Sequence, residues 1–224
     1  MRDAFQQDLR TITDDLVEMT RMTSSAIGRA TTALMDADVH LAEAVIEHDR
    51  EIDALREQLD NSSVDLLALQ QPVASDLRVV VTSMRMSSDL ERMGDLARHV
   101  AKVARLRYPE SAVPAELRAT FLQMGQIAER IVTKAGSIIA ARDVAAAVQL
   151  EKDDDEMDAL HRDLYRRIRG GDYSNEQAVD LTLLGRYYER FADHAVSIAE
   201  RVVYLVTGSY EQPVEDDHSS ASPA

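Results

Sequence analysis

The sequence predicts an all-α fold of six long helices, arranged as two tandem three-helix bundles. Three observations carry that prediction. Apolar residues recur at spacings of three and four almost throughout, the period of an amphipathic helix and not of a strand. Helix-breaking residues are scarce, 8 Gly and 5 Pro in 224 residues, so long uninterrupted segments remain. The second half of the chain repeats the first helix by helix, which a duplicated bundle explains.

Each element follows from local signals. The first helix runs from about Arg2 to Met35, and "DAD", Asp36 to Asp38, is a short turn that ends in an N-cap. The second helix runs from Val39 to Gln70, and Pro72 suits the first turn of the third, Val73 to Arg107. "YPESAVP", Tyr108 to Pro114, reads as a linker. The fourth and fifth helices run from Ala115 to Ala141 and from Val144 to Arg169; the loop "GGDYSN", Gly170 to Asn175, leads into the sixth, Asn175 to Thr207. From Ser209 to Ala224 there is no apolar period, and a disordered acidic tail is expected. The domains are therefore 1–108 and 109–208, followed by the tail 209–224.

The repeat is specific. "DVHLAEAVIEHDREIDALREQL" from Asp38 lies over "DVAAAVQLEKDDDEMDALHRDL" from Asp143 without a gap, matching Asp49 with Asp154 and Asp53 with Asp158. In the third helices, Met86, Leu90 and Met93 overlay Leu184, Tyr188 and Phe191. Helices of about thirty residues are about 45 Å long, so each half is expected to be a rod.

Composition narrows the function. Lys+Arg 25 against Asp+Glu 40 gives a formal net charge of -15, which repels phosphate backbones and makes nucleic acid a poor partner. With no cysteine there are no disulfides, thiolate metal sites or cysteine nucleophiles. The N-terminus lacks an apolar signal core and no later run approaches a membrane span, so a cytoplasmic protein is expected. Gly-rich phosphate loops, H-E-x-x-H and nucleophile elbows are absent, and no enzymatic activity is expected.

The candidate site is acidic. Each third helix carries Glu-x-x-x-Asp (Glu91 and Asp95; Glu189 and Asp193) and each second helix Asp-x-x-x-Asp (Asp49 and Asp53; Asp154 and Asp158). Residues four apart share a face. If the second and third helices run antiparallel about the inferred loops, Asp49 faces Asp95 and Asp53 faces Glu91, while Asp154 faces Asp193 and Asp158 faces Glu189. Four carboxylates then converge in each half and repel unless matched by protons or cations. Arg92 and Arg190 offset part of that charge. A bound hard cation would offset more, Mg²⁺, Mn²⁺ or Ca²⁺, or several Fe or Mn ions with bridging carboxylates. A single such pair is ordinarily a solvated face, and the competing explanation is a structural acid–arginine network. His194 reads as a satisfied or surface histidine, Met84, Met86 and Met93 as core, and Tyr187 and Tyr188 as packing residues. A ferritin-like di-metal enzyme would need Glu-x-x-His on facing helices; the only such spacing is Glu215 to His218, in the tail.

"QPVASDLRVVVTSMRMSSDLERMGDLARHVA", Gln71 to Ala101, and "LLGRYYERFADHAVSIAERVVYLVTG", Leu183 to Gly208, closely resemble the two signature helices of the PhoU family. The resemblance extends from Arg2 to Gly208. It implies two three-helix bundles related by pseudo-twofold symmetry, with metal on the eight acids named above. Members often carry His after the Asp of both motifs, where this chain has Leu96 and His194. The resemblance further implies a homodimeric negative regulator of the phosphate-starvation response and of phosphate uptake. Its partners would be the ATPase of the phosphate ABC transporter and the cytoplasmic domain of a phosphate-sensing histidine kinase. A metal-dependent carboxylate-bundle enzyme or metal-storage protein is the alternative.

Overall fold

The local signals above become helices at nearly the expected places. The structure, a computed structural model, describes residues 2–209, so the expected tail beyond Ser209 and the Glu215 to His218 pair lie outside the described residues. The α-helices among these are α1 (Arg2–Asp36), α2 (Val39–Gln70), α3 (Ser75–Arg107), α4 (Arg118–Ala141), α5 (Val144–Gly170) and α6 (Asn175–Thr207). Equivalent caps begin the duplicated second helices: the Asp38 side chain accepts from the Leu41 N–H and that of Asp143 from the Ala146 N–H. A reciprocal capping box between Ser174 and Gln177 starts α6.

Two starts differ from expectation. Pro72 lies in the link before α3 and not in its first turn. The reversal between α2 and α3 is made by Gln71, in the left-handed region at φ 45° and ψ 55°, and by Ala74, also at positive φ, 49°, but with ψ −116°. A 3₁₀ turn, Ala115–Leu117, precedes α4, with the Leu117 N–H donating to the Pro114 carbonyl.

Within each half, α1 packs on α2 and α3, and α4 on α5 and α6. The halves also pack on each other through α1 with α4 and α3 with α6. Along α1 and α4, Thr20 meets Gly136, Ser24 bonds Thr133 at 3.1 Å, Gly28 meets Glu129, and Thr31 meets Gly125, an ascending series against a descending one. The two helices are therefore antiparallel. A Cβ on Gly125 would stand 2.5 Å from the Thr31 methyl, so only glycine allows this approach. Gly125→Val is expected to cost about 1–3 kcal/mol by overpacking, read as a lower urea midpoint.

A single buried apolar cluster runs through both halves and includes Met86, Leu90 and Met93 of α3 with Leu184, Tyr188 and Phe191 of α6, the residues the repeat superposes. Tyr188 is fully buried. Because the Thr31 hydroxyl already donates to the Ile27 carbonyl, the Tyr188 hydroxyl donates to Thr31, at 2.8 Å.

Polar ties flank this core. Asp89 of α3 accepts from Arg201 Nε at 2.7 Å and pairs with His194 Nδ1 at 3.2 Å, while Arg107 grips Asp180 at 2.5 Å and also Glu176. His194 is thus satisfied by Asp89, as its sequence context suggested. Burial works against the Asp89 carboxylate, but the His194 and Arg201 hydrogen bonds outweigh it and hold its pKa below the usual range. Asp89→Ala leaves Arg201 and His194 without their shared acceptor. It is expected to cost about 2–3 kcal/mol in denaturant titration. Among the described residues no helix is long and apolar enough to cross a membrane.

Candidate functional site

The antiparallel α2/α3 and α5/α6 pairs bring the predicted acids into two groups of four. Asp49 feels the charges of Asp53, Asp95 and Glu91; Asp154 feels those of Asp193, Asp158 and Glu189. The third-helix acids sit on a half-buried flank, whereas Asp49 is only 4% exposed and Asp53 lies out in solvent. Burial, reinforced by like-charged neighbours, pushes Asp49 up to about 6 against the lowering influence of Arg98. In the second cluster burial and four acidic neighbours push Asp154 up to about 7. Glu91 and Glu189 are also raised, desolvation leading in each case.

The expected arginines take part, Arg92 acting on Glu91 and Arg190 on Glu189 and Asp193, and others join them. In the first cluster Arg98, not Arg92, is the principal counter-ion: its guanidinium bonds Asp49 on α2 and Asp95 on α3 together. In the second cluster each arginine serves one acid of its own helix. Arg162 lies 3.6 Å from Asp158, Arg190 lies 3.3 Å from Asp193, and Arg186 pairs with Glu189. None of these three pairs joins α5 to α6. Asp154 Oδ1 and Glu189 Oε2 are buried with no hydrogen-bond partner.

These orphaned oxygens decide the fit of a metal ion. Among the described residues no three carboxylate or imidazole groups are gathered closely enough to hold one ion as they stand. The outer carboxylates are instead paired with arginines. The second cluster nonetheless has buried anionic oxygens lacking a donor, and its four acids supply the hard ligands a divalent cation takes. The first cluster in this state does not fit an added cation, because a guanidinium already spans its two helices.

Sequence reasoning passed over three residues here: Arg98, Arg56 and His161. The duplication was the available signal, since Arg98 aligns with Val196 and Arg56 with His161. His161 is 9% exposed and its Nε2 is buried without a partner. Burial and the nearby Arg186 hold its pKa below the usual histidine range.

A duplicated helical scaffold with acidic clusters between its helix pairs is the class of protein that the fold and site define. The PhoU domain matches residues 16–104 and 121–202, and the chain belongs to the PhoU family. It is 42% identical over 212 residues to "Phosphate-specific transport system accessory protein PhoU homolog 2" of Mycobacterium tuberculosis, covering 94% of this chain and 100% of that one. It is also 42% identical over 219 residues to PhoU homolog 1 of Mycobacterium leprae, with 97% of each covered. Among solved structures it resembles the phosphate transport system regulatory protein PhoU from Streptococcus pneumoniae, at a TM-score of 0.84 and 28% identity, covering 92% of this chain and 99% of that one. PhoU from Pseudomonas aeruginosa matches at 0.83 and 30%, covering 92% and 100%. Two three-helix bundles, as the repeat predicted, are the fold these likenesses share.

Proposed function

We propose that this chain is a negative regulator of the phosphate-starvation response and a modulator of phosphate uptake. It acts as a cytoplasmic, non-enzymatic adaptor between the phosphate ABC transporter's ATPase and the cytoplasmic domain of its sensor histidine kinase. The observation that carries this reading is the full-length likeness to accessory proteins of phosphate-specific transport systems, 42% identical across 100% of one of them. The long rods and paired helices suit an adaptor, which needs extended surfaces and not a reaction cavity. A homodimer belongs to the same reading, and sedimentation of the full chain checks it.

The acids would supply the switch. Asp154, Asp158, Glu189 and Asp193 would hold a divalent ion such as Mg²⁺, Mn²⁺ or Fe²⁺; Asp49, Asp53, Glu91 and Asp95 would do so once Arg98 is displaced. The ion supplies positive charge that offsets the carboxylates. The chain's own contribution is geometric: carboxylates from two helices converge, so neutralising them fixes the helix pair and the surface offered to a partner.

Removing every copy of this chain from its host is expected to turn on phosphate-scavenging genes in phosphate-rich medium, and returning the wild-type chain should silence them. Continued repression in the deletion strain would sink the regulatory reading. The orphaned carboxylate oxygens of the second cluster favour one alternative, a metal-dependent carboxylate enzyme or metal store. Oxygen consumption or phosphatase turnover with Mn²⁺ or Fe²⁺ would support it.

A further inference from the structure

We propose that residues 211–217 of this chain, the acidic run that follows α6, lie back in the groove between the start of α3 and the end of α6 and cover it. The inference is independent of the carboxylates assigned above to cations.

The groove draws on both halves. Leu77, Arg78, Val81 and Arg85 of α3 line it with Tyr204 of α6, around a volume of about 500 Å³. Leu77, Val81 and Arg85 follow one another at helical spacing with Arg78 beside them, so one strip of α3 carries two apolar and two cationic side chains. Leu77 and Val81 are 40% and 36% exposed, and a segment laid along the strip removes that apolar surface from water. The Arg78 guanidinium lies over the Tyr204 ring, 5.9 Å from its centroid, and its Nε is buried with no hydrogen-bond partner among the described residues. Cationic and apolar groups side by side favour an occupant with the complementary pair of properties.

The chain delivers such an occupant to the same place. α6 ends at Gly208, whose left-handed backbone, φ 79°, sets its N–H on the Tyr204 carbonyl at 2.8 Å and turns the chain away from the helix axis. Arg78 stands against this exit: a Cβ on Gly208 would collide with its Nη1. Two residues on, "YEQPVEDD", Tyr210 to Asp217, carries Glu211, Glu215, Asp216 and Asp217 with no Lys or Arg, and offers Tyr210 and Val214 as apolar partners. Arg78 and Arg85 are about 10 Å apart along α3, and an extended chain covers about 3.3 Å per residue, so this run reaches both. Because it is tethered at Ser209, the segment meets the groove at an effective concentration of order mM, and contacts that are weak in isolation hold it. The net charge of -15 repels an acidic segment from most of the surface, which favours a cationic strip as its seat.

The test uses the full chain with Ser219→Cys, its single cysteine, carrying a nitroxide. At low salt the backbone amide signals of Leu77 to Arg85 and of Tyr204 are expected to be lost, relative to the same sample after the nitroxide is reduced. They should return in about 0.5 M NaCl, where exposed charges are screened. Arg78→Glu/Arg85→Glu should restore them as well, and so should Glu215→Lys/Asp216→Lys/Asp217→Lys, which alters no described residue. If circular dichroism shows that the arginine variant unfolds, the lysine variant decides. Groove signals unaffected by the nitroxide at low salt would overturn the proposal, as would a loss that persists in the lysine variant. A loss equally strong when nitroxide and isotope label sit on different chains would overturn it too, by giving the groove to a second copy.

Discussion

Asp154→Asn is expected to make the metal-free protein more stable near neutral pH while abolishing its stabilisation by Mn²⁺. The sign follows from the direction of the shift. The carboxyl is raised from 3.8 to about 7 by burial and by Asp193, Asp158, Glu189 and Asp155, so the folded state holds a proton that the unfolded chain has released. Its favourable contribution is complete below the unfolded value and is lost as the pH rises through about 7. A neutral amide removes that loss. Because the group is half-buried and partly screened by solvent, the gain is of order 1 kcal/mol at about pH 8, a melting shift of about 2–4 °C. Without metal, wild-type stability contributed by this residue should fall between about pH 4 and pH 7, the opposite of a salt-bridged aspartate. Saturating Mn²⁺ should flatten that slope in the wild type and leave the variant unmoved. Thermal melts across this pH range, with chelator and then with Mn²⁺, check all of these expectations.

The opposite result is expected from Arg98→Ala. Its side chain is only 27% exposed and that of Asp49 only 3%, so truncation leaves a buried carboxylate facing three others with no counter-ion. Breaking such a pair costs about 3 kcal/mol, or a melting point lower by about 6–12 °C. Protonation of Asp49 limits the loss. With Arg98 gone, its pKa rises beyond the present value of about 6. The penalty should therefore shrink below that pH and grow above it. A variant as stable as wild type at about pH 8 would show that Arg98 does not neutralise the cluster.

Local codes explain what was legible in the sequence. Asp38, Asp143 and Ser174 cap their helices through side chains only three residues from their targets, so the helix starts could be read without tertiary knowledge. The facing of the acids was also legible, because a helical hairpin sets register by arithmetic once its loop is located. The α3 start was not, since Gln71 and Ala74 adopt positive φ that their side chains do not advertise. Nor was the packing between halves: Gly125 and Gly136 read as ordinary helix residues until Thr31 and Thr20 of α1 are seen against them. Arg98 was missed for a related reason. A long flexible side chain can reach either helix flank, and only the packed structure shows that it spans Asp49 and Asp95. His161 shares its period with the apolar residues Met157 and Leu164, so pattern alone assigns it to the core.

The adaptor account is tested most directly by titrating the chelator-stripped chain against the cytoplasmic domain of the phosphate-sensing histidine kinase, first with chelator and then with Mn²⁺. Saturable binding that tightens with Mn²⁺, and loses that response when Asp154 and Glu189 are neutralised, is the result expected if the acidic clusters switch an adaptor surface. Binding that is identical with and without Mn²⁺, and indifferent to neutral substitution of all eight acids, would contradict it.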